Sequence, residues 1–394
     1  MTHNILHIAP HYGGGVGSVV NSWIANDTSN THTLTYLNDI PENKKPGVSL
    51  FEQPLKMSEH DVIVCHVWNH PSMFEFLIES KLPPCRMIGW SHMSGLHAPY
   101  VLSEKLINYF DEFYYTSPIS NLTGIRREYI WSTCDIKDYL KIQCAPHEGF
   151  VVGYIGTLDY CKLHPQFLDI CESIKVPGAR FVVVGTGCDA DDMQEEAKRR
   201  GINIEFTGLV GDVKPYLEMF DVFLYPLYEK HFGTCEQVLG EALAAALPCV
   251  VMGNEAERFI ISDNVNGFVC YDIDEIPGIV ESIHSGRITL DYDLVRERAA
   301  DMYSIENEIE KWNAAFDGVM KHPARVHKWY DIFIESLGRC GDSIRRQLNY
   351  NDMTGIAETF NTSNQWKSKS KGSIRQYLDY YPDDPVIQKL AGLL

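Results

Sequence analysis

Short apolar runs recur along the chain, separated by stretches long enough to form a helix. The runs in the first part of the chain are 5–9, 61–65, 86–90 and 113–116. Those in the second part are 150–156, 180–185, 204–206, 222–225 and 249–252. Runs of this kind are typical of strands buried on both faces, and parallel strands need a crossover connection that is usually a helix. The pattern therefore predicts an α/β protein built on parallel sheets.

The alternation of strand and helix starts again after residue 147, which divides the chain. It predicts domains at 1–147 and 148–321, followed by a helical extension at 322–394. A chain of 394 residues is long enough to bury more than one core. Two doubly wound domains that face each other across a cleft would bring the carboxyl ends of both sheets, where such folds bind ligands, to that cleft.

Charge and composition limit which binding partners and which cellular compartment we expect for the protein. The net charge is -19 and the pI is near 5.2, so the chain repels polyanions and nucleic acid is not an expected partner. No apolar run reaches the roughly 18 residues of a membrane span, and the first residues lack the features of a signal peptide, so a cytoplasmic protein is expected. The 11 cysteines include no Cys-x-x-Cys pair, which fits reduced thiols better than disulfides or a zinc site.

The predicted extension differs from the rest of the chain in charge. It carries 10 Lys/Arg and 8 Asp/Glu, whereas residues 1–321 carry 24 and 45. Apolar residues at helical spacing over 327–337 predict a helix that packs back on the first domain. The lysines of 366–371, beside a tryptophan, indicate either weak contact with an anionic membrane surface or a partner protein, or a solvated linker between helical pieces.

A glycine-rich loop, Gly13–Gly17, follows the first predicted strand and precedes a helical pattern. Bare backbone amides at the start of a helix can approach a phosphate or a sugar closely, which makes Gly14 and Gly15 candidate ligand contacts. A tight turn that needs a positive φ explains the glycines equally well. The loop alone therefore leaves both interpretations open.

The most informative stretch is 225–251, where a strand leads through a Gly-Thr turn into a helix and then into a strand that begins after a proline. The turn predicts a helix that starts near Thr234. The amides from Gly233 to Glu236 would then lie at the positive end of that helix, where they can hold a diphosphate. Glu241 lies further along the same helix.

Residues 241–250 read Glu-Ala-Leu-Ala-Ala-Ala-Leu-Pro-Cys-Val, which resembles a segment of the retaining GT-B glycosyltransferases. That family includes sucrose synthases and many bacterial mannosyl- and glucosyltransferases. The resemblance covers about residues 1–320, and the order of several weak motifs makes it more specific than any one of them. It implies the GT-B fold, with two Rossmann-like domains, and it implies that Glu241 binds the ribose of a nucleotide donor.

The resemblance implies roles for two further loops. Gly156, Thr157 and Lys162 match the loop whose cations grip the donor diphosphate, with Thr157 in place of the family's arginine. Gly208 and Leu209 match a segment that lies beside the nucleotide base. Lys162 is therefore the expected phosphate ligand.

Histidines follow two predicted strands of the first domain. His92 corresponds to the family's histidine that reaches the donor sugar and the reacting centre, and His66 is a similar but weaker candidate. A single histidine is more often structural than catalytic. The position of His92 directly after a strand, on the predicted cleft side, favours the catalytic interpretation.

The sequence departs from the family pattern at one acidic position. Family members carry two glutamates here, and Gly233 stands where the first is expected. Glu236 is the nearest acid before Glu241, and we expect it to take over contacts with the transferred sugar. The segment 189–191, Asp-Ala-Asp, looks like a metal-binding pair, but it follows a strand and opens a helix, where aspartates cap amides. A helix cap and no metal are therefore expected.

These features together predict a glycosyltransferase that moves a sugar from a nucleoside-diphosphate donor to a glycan, lipid-linked or small-molecule acceptor, with retention of anomeric configuration. No cofactor is expected, and His92, Lys162 and Glu236 are the expected catalytic residues. Two alternatives stay open, because Thr157 and Gly233 are compatible with lost turnover: an impaired partner subunit of the same fold, and a nucleotide-sugar epimerase.

Overall fold

The computed structural model contains two compact α/β units, each with its own parallel sheet. The first unit comprises Met1–Cys134 and Ile305–Leu394, and the second comprises Asp135–Ser304. The structure describes residues 2–9, 14–37, 48–50, 54–68, 70, 72–73, 76–77, 82–97, 102, 104–327, 373–380, 382–383 and 385–392.

The sheet of the first unit has six strands in the order β3-β2-β1-β4-β5-β6. The strands are β1 (Asn4–Ala9), β2 (Thr31–Tyr36), β3 (Val48–Leu50), β4 (Val62–Val67), β5 (Met87–Ser91) and β6 (Glu112–Tyr115). All neighbouring pairs are parallel. The strand order reverses between β1 and β4, and ligands bind beyond the carboxyl ends of strands at such a reversal.

The sheet of the second unit repeats this arrangement in the order β12-β11-β10-β7-β8-β9. Its parallel strands are β7 (Phe150–Ile155), β8 (Ala179–Val184), β9 (Ile204–Gly208), β10 (Val222–Tyr225), β11 (Cys249–Met252) and β12 (Phe268–Cys270). Its reversal lies between β7 and β10. The two sheets confirm the predicted fold class of two doubly wound parallel units.

Helices connect most of the strands and form the described part of the carboxyl-terminal segment. They are α1 (Gly14–Asn26), α2 (Glu104–Ile107), α3 (Phe167–Ser173), α4 (Ala190–Arg200), α5 (Lys214–Leu217), α6 (Gln237–Ala244), α7 (Glu255–Ile260), α8 (Ile276–His284), α9 (Tyr292–Met302), α10 (Ile305–Val319), α11 (Ile374–Tyr380) and α12 (Pro385–Ala391). Among the described residues, no helix combines the length and the apolar character that a membrane crossing requires.

Helix α10 packs on the first unit, although it follows the second unit in sequence. Trp312 of α10 and Trp23 of α1 are both fully buried, and their rings stack with centroids 4.4 Å apart. They share a core with Ile5, Val64 and Trp90 of the sheet. Burial of this aromatic cluster draws the chain from 305 onward into the first unit, whereas the strand pattern places the corresponding division at 321.

Three strands lie outside the predicted apolar runs. Strand β2 has threonine at every second position, so a search for continuous apolar runs passes over it. Strands β3 and β12 have three residues each. The predicted helix over 327–337, apart from His327, and the lysines of 366–371 lie outside the described residues.

Candidate functional site

The predicted site residues of the second unit gather where its sheet reverses. Lys162 lies in the loop after β7, Tyr225 ends β10, and Glu236 directly precedes α6. Strands β7 and β10 are adjacent and parallel, so the segments that follow them leave from the same edge of the sheet. The fold therefore brings together side chains that are far apart in sequence.

The loop after β7 is held against the loop after β8 by backbone hydrogen bonds. The Gly156 N–H donates to the Val184 carbonyl over 2.9 Å, and the Leu158 N–H donates to Thr186 over 3.1 Å. Gly185 has a φ of 134°, and a Cβ there would lie 2.0 Å from the Gly156 carbonyl oxygen. Only glycine fits at position 185, and this close approach fixes the loop that leads to the lysine.

Lys162 and Glu236 form a largely buried ion pair. The distance from Nζ to Oε2 is 3.1 Å, and the side chains are 15% and 2% exposed. Nζ also lies 5.9 Å and 5.7 Å from the ring centres of Tyr225 and Phe232. The Tyr225 hydroxyl donates to Glu236 Oε2 over 2.5 Å. Burial opposes ionisation of Glu236, but Lys162, His231 and the tyrosine hydrogen bond outweigh it and hold the pKa of the carboxyl below its ordinary value.

The Glu236 carboxylate lies in the space that a side chain at position 233 would fill. A Cβ on Gly233 would be 1.6 Å from Glu236 Oε1. The backbone of Glu236 has a φ of 38°, a left-handed conformation that residues other than glycine rarely adopt. This conformation turns the glutamate back toward Gly233, which stands where the family pattern expects an acid.

Helix α6 begins at Gln237, so the prediction of a start near Thr234 is wrong. The left-handed residue at 236 cannot continue a right-handed helix, which explains the later start. The Gly233 N–H donates to His231 Nδ1 over 2.9 Å, so it is already engaged within the loop. The predicted run of helix-end amides from 233 to 236 is therefore a loop supported by a histidine.

Sequence reasoning missed two buried members of this cluster. His231 Nε2 lies 3.1 Å from Oε1 of Glu257, which belongs to α7. His231 shares a short segment with Gly233 and Glu236, which is its only sequence signal, and nothing in the sequence marks Glu257. His231, Glu236 and Glu257 bring ligand atoms within 4.8 Å of one another. Such donors can surround a cation, and the Lys162 ammonium already supplies a positive charge to them.

Glu241, the predicted ribose ligand, lies on α6 and is partly exposed. Burial raises the pKa of its carboxyl to about 7, a hydrogen bond from Tyr139 opposes this shift, and Asp212 adds to it. The group is therefore partly protonated at neutral pH and can donate as well as accept a hydrogen bond. Ribose hydroxyls have the same double capacity.

The residues that are predicted to lie beside the nucleotide base, Gly208 and Leu209, are at the end of β9. Gly208 closes the strand with a φ of 72°, and its carbonyl accepts from the Gly185 N–H over 3.0 Å. The following residue, Leu209, is 84% exposed. An exposed leucine is uninformative by itself, but this one lies at the carboxyl edge of the sheet, where such folds bind ligands.

The candidate glycines of the first unit, Gly14 and Gly15, lie at the start of a helix. Helix α1 begins at Gly14, whose φ of 65° is left-handed and marks the change from the loop to the helix. Gly15 lies in the first turn and not in the predicted loop. Gly13 lies outside the described residues. That first turn contains no acidic residue. A Cβ on Gly15 would meet no atom within 4 Å.

His92 follows β5 and is 7% exposed. Its Nε2 lies 2.9 Å from Nδ1 of His66, and its ring packs edge-on against Trp90 with centroids 4.5 Å apart. Burial lowers the pKa of His92 to about 3, so the ring is neutral at physiological pH. The two histidines predicted as separate candidates are thus hydrogen-bonded to each other.

The segment 189–191 opens helix α4 as predicted, but its first aspartate does not cap the helix. Asp189 holds the N-cap position without a side-chain hydrogen bond to the helix. Its carboxylate instead accepts from the Tyr160 N–H over 2.8 Å. The carboxylate is therefore used to tie the loop after β7 to the start of α4. Ligand atoms of Asp159, Cys188 and Asp189 also lie within 4.8 Å of one another.

Part of the second unit matches a known protein family. Residues 149–285, which span β7 to α8, match the family described as Glycosyl transferases group 1. No curated protein matches the chain.

Solved structures share the fold over most of the chain. Anabaena Alr3699/HepE in complex with UDP-glucose has a TM-score of 0.67 at 16% identity, over 80% of this chain and 100% of that chain. A glycosyltransferase from Rickettsia africae ESF-5 has a TM-score of 0.63 at 11% identity, over 82% and 99%. The lipopolysaccharide outer core galactosyltransferase WaaB, in its apo form, has a TM-score of 0.57 at 16% identity, over 80% and 99%. The chain therefore has the GT-B fold, and part of its second unit is similar to the group 1 glycosyl transferases.

Proposed function

We propose that the protein is a glycosyltransferase that moves a sugar from a nucleoside-diphosphate donor to a carbohydrate-type acceptor with retention of anomeric configuration. The observation that carries the proposal is the buried Lys162–Glu236 pair, at the point of the group 1 domain where the strand order reverses. HepE was solved with UDP-glucose, and WaaB is described as a galactosyltransferase, which supports a nucleotide-sugar donor.

The Lys162 ammonium stabilises the leaving group. When the bond from the sugar to the diphosphate breaks, negative charge accumulates on the phosphate oxygens and positive charge on the sugar ring. A cation that is only 15% exposed acts with little screening by water, so it stabilises the leaving diphosphate more than a surface lysine would. Thr157, where the family has arginine, adds no charge to this loop, and Lys162 has a correspondingly larger role.

The Glu236 carboxylate acts on the transferred sugar. It occupies the space above Gly233, where the family pattern expects its first acid. A carboxylate there can accept hydrogen bonds from sugar hydroxyls and stabilise positive charge on the ring. In this reaction a donor phosphate oxygen takes the acceptor proton, so no dedicated protein base is required.

The remaining predicted residues position the donor and the sugar. Glu241 binds the ribose, Gly208 and Leu209 flank the base, and the start of α1 at Gly14 offers amides to a phosphate or sugar. His92 orients the sugar. A cytoplasmic location and weak contact of the extension with a membrane or partner stay predictions.

Donor hydrolysis, measured with a panel of nucleotide sugars, tests the function. Slow hydrolysis of one donor is the expected result. Conversion of one nucleotide sugar into another would identify an epimerase instead, and no binding of any donor would identify an impaired partner subunit.

Calorimetry with the corresponding nucleoside diphosphate tests the site. Lys162→Ala should weaken binding by about 1.5–3 kcal/mol, as expected for loss of a charge-assisted hydrogen bond. Lys141→Ala is the matched control, because Lys141 belongs to the same unit and is 74% exposed. Equal affinity in both variants would remove Lys162 from the donor site.

A further inference from the structure

Four histidines form one hydrogen-bonded row across the sheet of the first unit. His32 lies on β2, His7 on β1 and His66 on β4, and His92 follows β5. Since these strands are neighbours in the order β2-β1-β4-β5, each contributes one ring to the row. The row starts near the amino end of β2 and finishes beyond the carboxyl end of β5, the edge at which α/β sheets bind ligands.

Every link in the row joins Nε2 of one ring to Nδ1 of the next. The distances are 2.9 Å from His7 Nε2 to His32 Nδ1, 3.1 Å from His66 Nε2 to His7 Nδ1, and 2.9 Å from His92 Nε2 to His66 Nδ1. The ring centroids are 5.1–5.3 Å apart with interplanar angles of 22–29°. Because the bonded nitrogens are much closer than the centroids, the rings meet by their nitrogen edges.

The rings of His7, His66 and His92 are neutral. Burial lowers the pKa of His7 and His66 well below its ordinary value, and it lowers the pKa of His92 to about 3. Trp23 packs edge-on against His7, and Trp90 packs edge-on against His66 and His92, so the surroundings are largely apolar. A neutral imidazole has one N–H and one lone pair. The neutral rings of His7, His66 and His92 must therefore share a single direction of donation.

A carboxylate at one end sets that direction. Asp27 Oδ2 lies 3.0 Å from His32 Nε2, and the same carboxylate accepts from the Ser29 N–H over 2.7 Å and from Asn30 Nδ2 over 2.9 Å. Burial opposes ionisation, but these hydrogen bonds outweigh it and lower the pKa of Asp27. An ionised carboxylate only accepts, so His32 Nε2 must carry a proton. When this is the only proton of the His32 ring, His32 Nδ1 has a lone pair.

The same reasoning passes from ring to ring. Each Nε2–H donates to the Nδ1 lone pair of the preceding ring, and the last donor is Nε2–H of His92. Nδ1 of His92 then carries a lone pair, and it has no hydrogen-bond partner among the described residues. The opposite direction would require a second proton on the His32 ring, at Nδ1. His60 is the other titratable group near His7, and its Nε2 is bonded to Thr33 Oγ1 at 3.0 Å, outside the row.

We propose that the His32 ring carries a single proton, on Nε2, and that Asp27 is a positioning residue that acts on His92 through the three intervening histidines and fixes it in the tautomer whose Nδ1 lone pair accepts a hydrogen bond from a sugar hydroxyl. The assignment of His92 to the sugar rests on the proposed function. The tautomer itself depends only on the row.

Nitrogen-15 NMR of the full-length protein with labelled histidine tests the row directly, because the shift separates a protonated ring nitrogen from one with a lone pair. His92→Gln assigns the His92 signals. The expected spectrum of the native chain shows Nε2 protonated and Nδ1 unprotonated in His92. A protonated Nδ1 in His92 would overturn the proposal without any further variant.

Asp27→Asn tests the role of the carboxylate, since an amide can donate or accept and no longer imposes a direction. Mixed tautomers of His92 are expected, together with a fall in kcat of at least about tenfold at unchanged donor KM. Asp61→Asn is the control, because Asp61 accepts from the Asn4 N–H beside the same sheet but lies outside the row. An unchanged His92 spectrum in folded Asp27→Asn would refute the proposal. If no donor is turned over, the proposed function fails, and the His92 spectrum still decides the tautomer.

Discussion

Removal of the Lys162 ammonium tests the central cluster of the second unit. Lys162→Met keeps an apolar stem and deletes the charge 3.1 Å from Glu236 Oε2. At an effective dielectric constant of about 20, the attraction across this distance is about 5 kcal/mol. Desolvation of both ions offsets much of it, but removal of one partner leaves an uncompensated buried charge. We therefore expect a loss of about 3–5 kcal/mol of stability.

The measurement must report on the second unit alone, because the two units can unfold separately. Residues 135–304 contain none of the 7 tryptophans, so tryptophan fluorescence reports on the first unit. Hydrogen-exchange protection of β7 and β10, followed as urea is raised, gives the stability of the sheet that carries the pair.

A double-mutant cycle then isolates the interaction. Lys162→Met and Glu236→Gln should each destabilise β7 and β10, and the double variant should recover part of the loss, with a coupling energy of about 2–3 kcal/mol. Lys141→Met is the matched control, since Lys141 pairs with Asp138 on the surface, with side chains 74% and 67% exposed. That change should leave the protection of β7 and β10 unchanged.

The pH dependence of stability tests the ion pair independently, because stability should change with pH in opposite directions in the native chain and in the variant. In the native chain the pKa of Glu236 lies below its ordinary value of 4.5, so its stabilising effect is present above that pH and is lost as pH falls through the folded pKa. In Lys162→Met, burial acts without the ammonium and raises the pKa of Glu236. The variant should therefore regain stability as pH falls from about 8 to 5. The reasoning would be refuted if the stability losses of the two single variants simply added in the double variant. It would also be refuted if the stability loss in Lys162→Met did not change with pH.

Three further changes probe the neighbouring residues. Burial raises the pKa of Glu241 from 4.5 to about 7, so the folded state holds this proton more tightly than the unfolded chain, and stability should fall by about 3 kcal/mol as pH rises through that window. In Glu241→Gln the exchange protection of α6 should lose this slope. His92→Gln should bind nucleoside diphosphate normally by calorimetry while turnover falls by about 100-fold or more, and equal losses would make the residue structural. Gly233→Ala must displace the Glu236 carboxylate and should cost about 1–3 kcal/mol of protection in β10, whereas Gly211→Ala, which meets no atom within 4 Å, should not.

The sequence predicts the architecture well, because buried parallel strands leave a strong apolar signal. Strands β1, β4, β5, β6 and all but the last of the second sheet fall on predicted runs. Strand β2 is not predicted, because its threonines interrupt the apolar pattern. The sequence also does not predict that α10 packs on the first unit. The apolar period of a helix shows which face is buried, but not which unit covers that face.

The candidate site is only partly readable from the sequence. The family resemblance singles out Lys162, and Glu236 is the nearest acid before Glu241 where the family pattern lacks its first glutamate. The structure places Lys162 and Glu236 in contact. The later start of α6 depends on one left-handed residue, which no propensity predicts for a glutamate. Glu257 and the row from Asp27 to His92 depend on contacts between residues distant in the chain, and sequence spacing carries no information about them.

The measurement that tests the central claim most directly is proton NMR of a nucleotide sugar during incubation with the native chain, on the donor selected by the hydrolysis panel. The account predicts a nucleoside diphosphate and a free sugar whose first-formed anomer has the configuration of the donor, and it predicts that Lys162→Ala slows this release while Lys141→Ala does not. Release of the opposite anomer would contradict retention. Release of sugar at the same rate from Lys162→Ala would contradict the site, and a donor that stays intact or changes only its sugar configuration would contradict the proposed transfer.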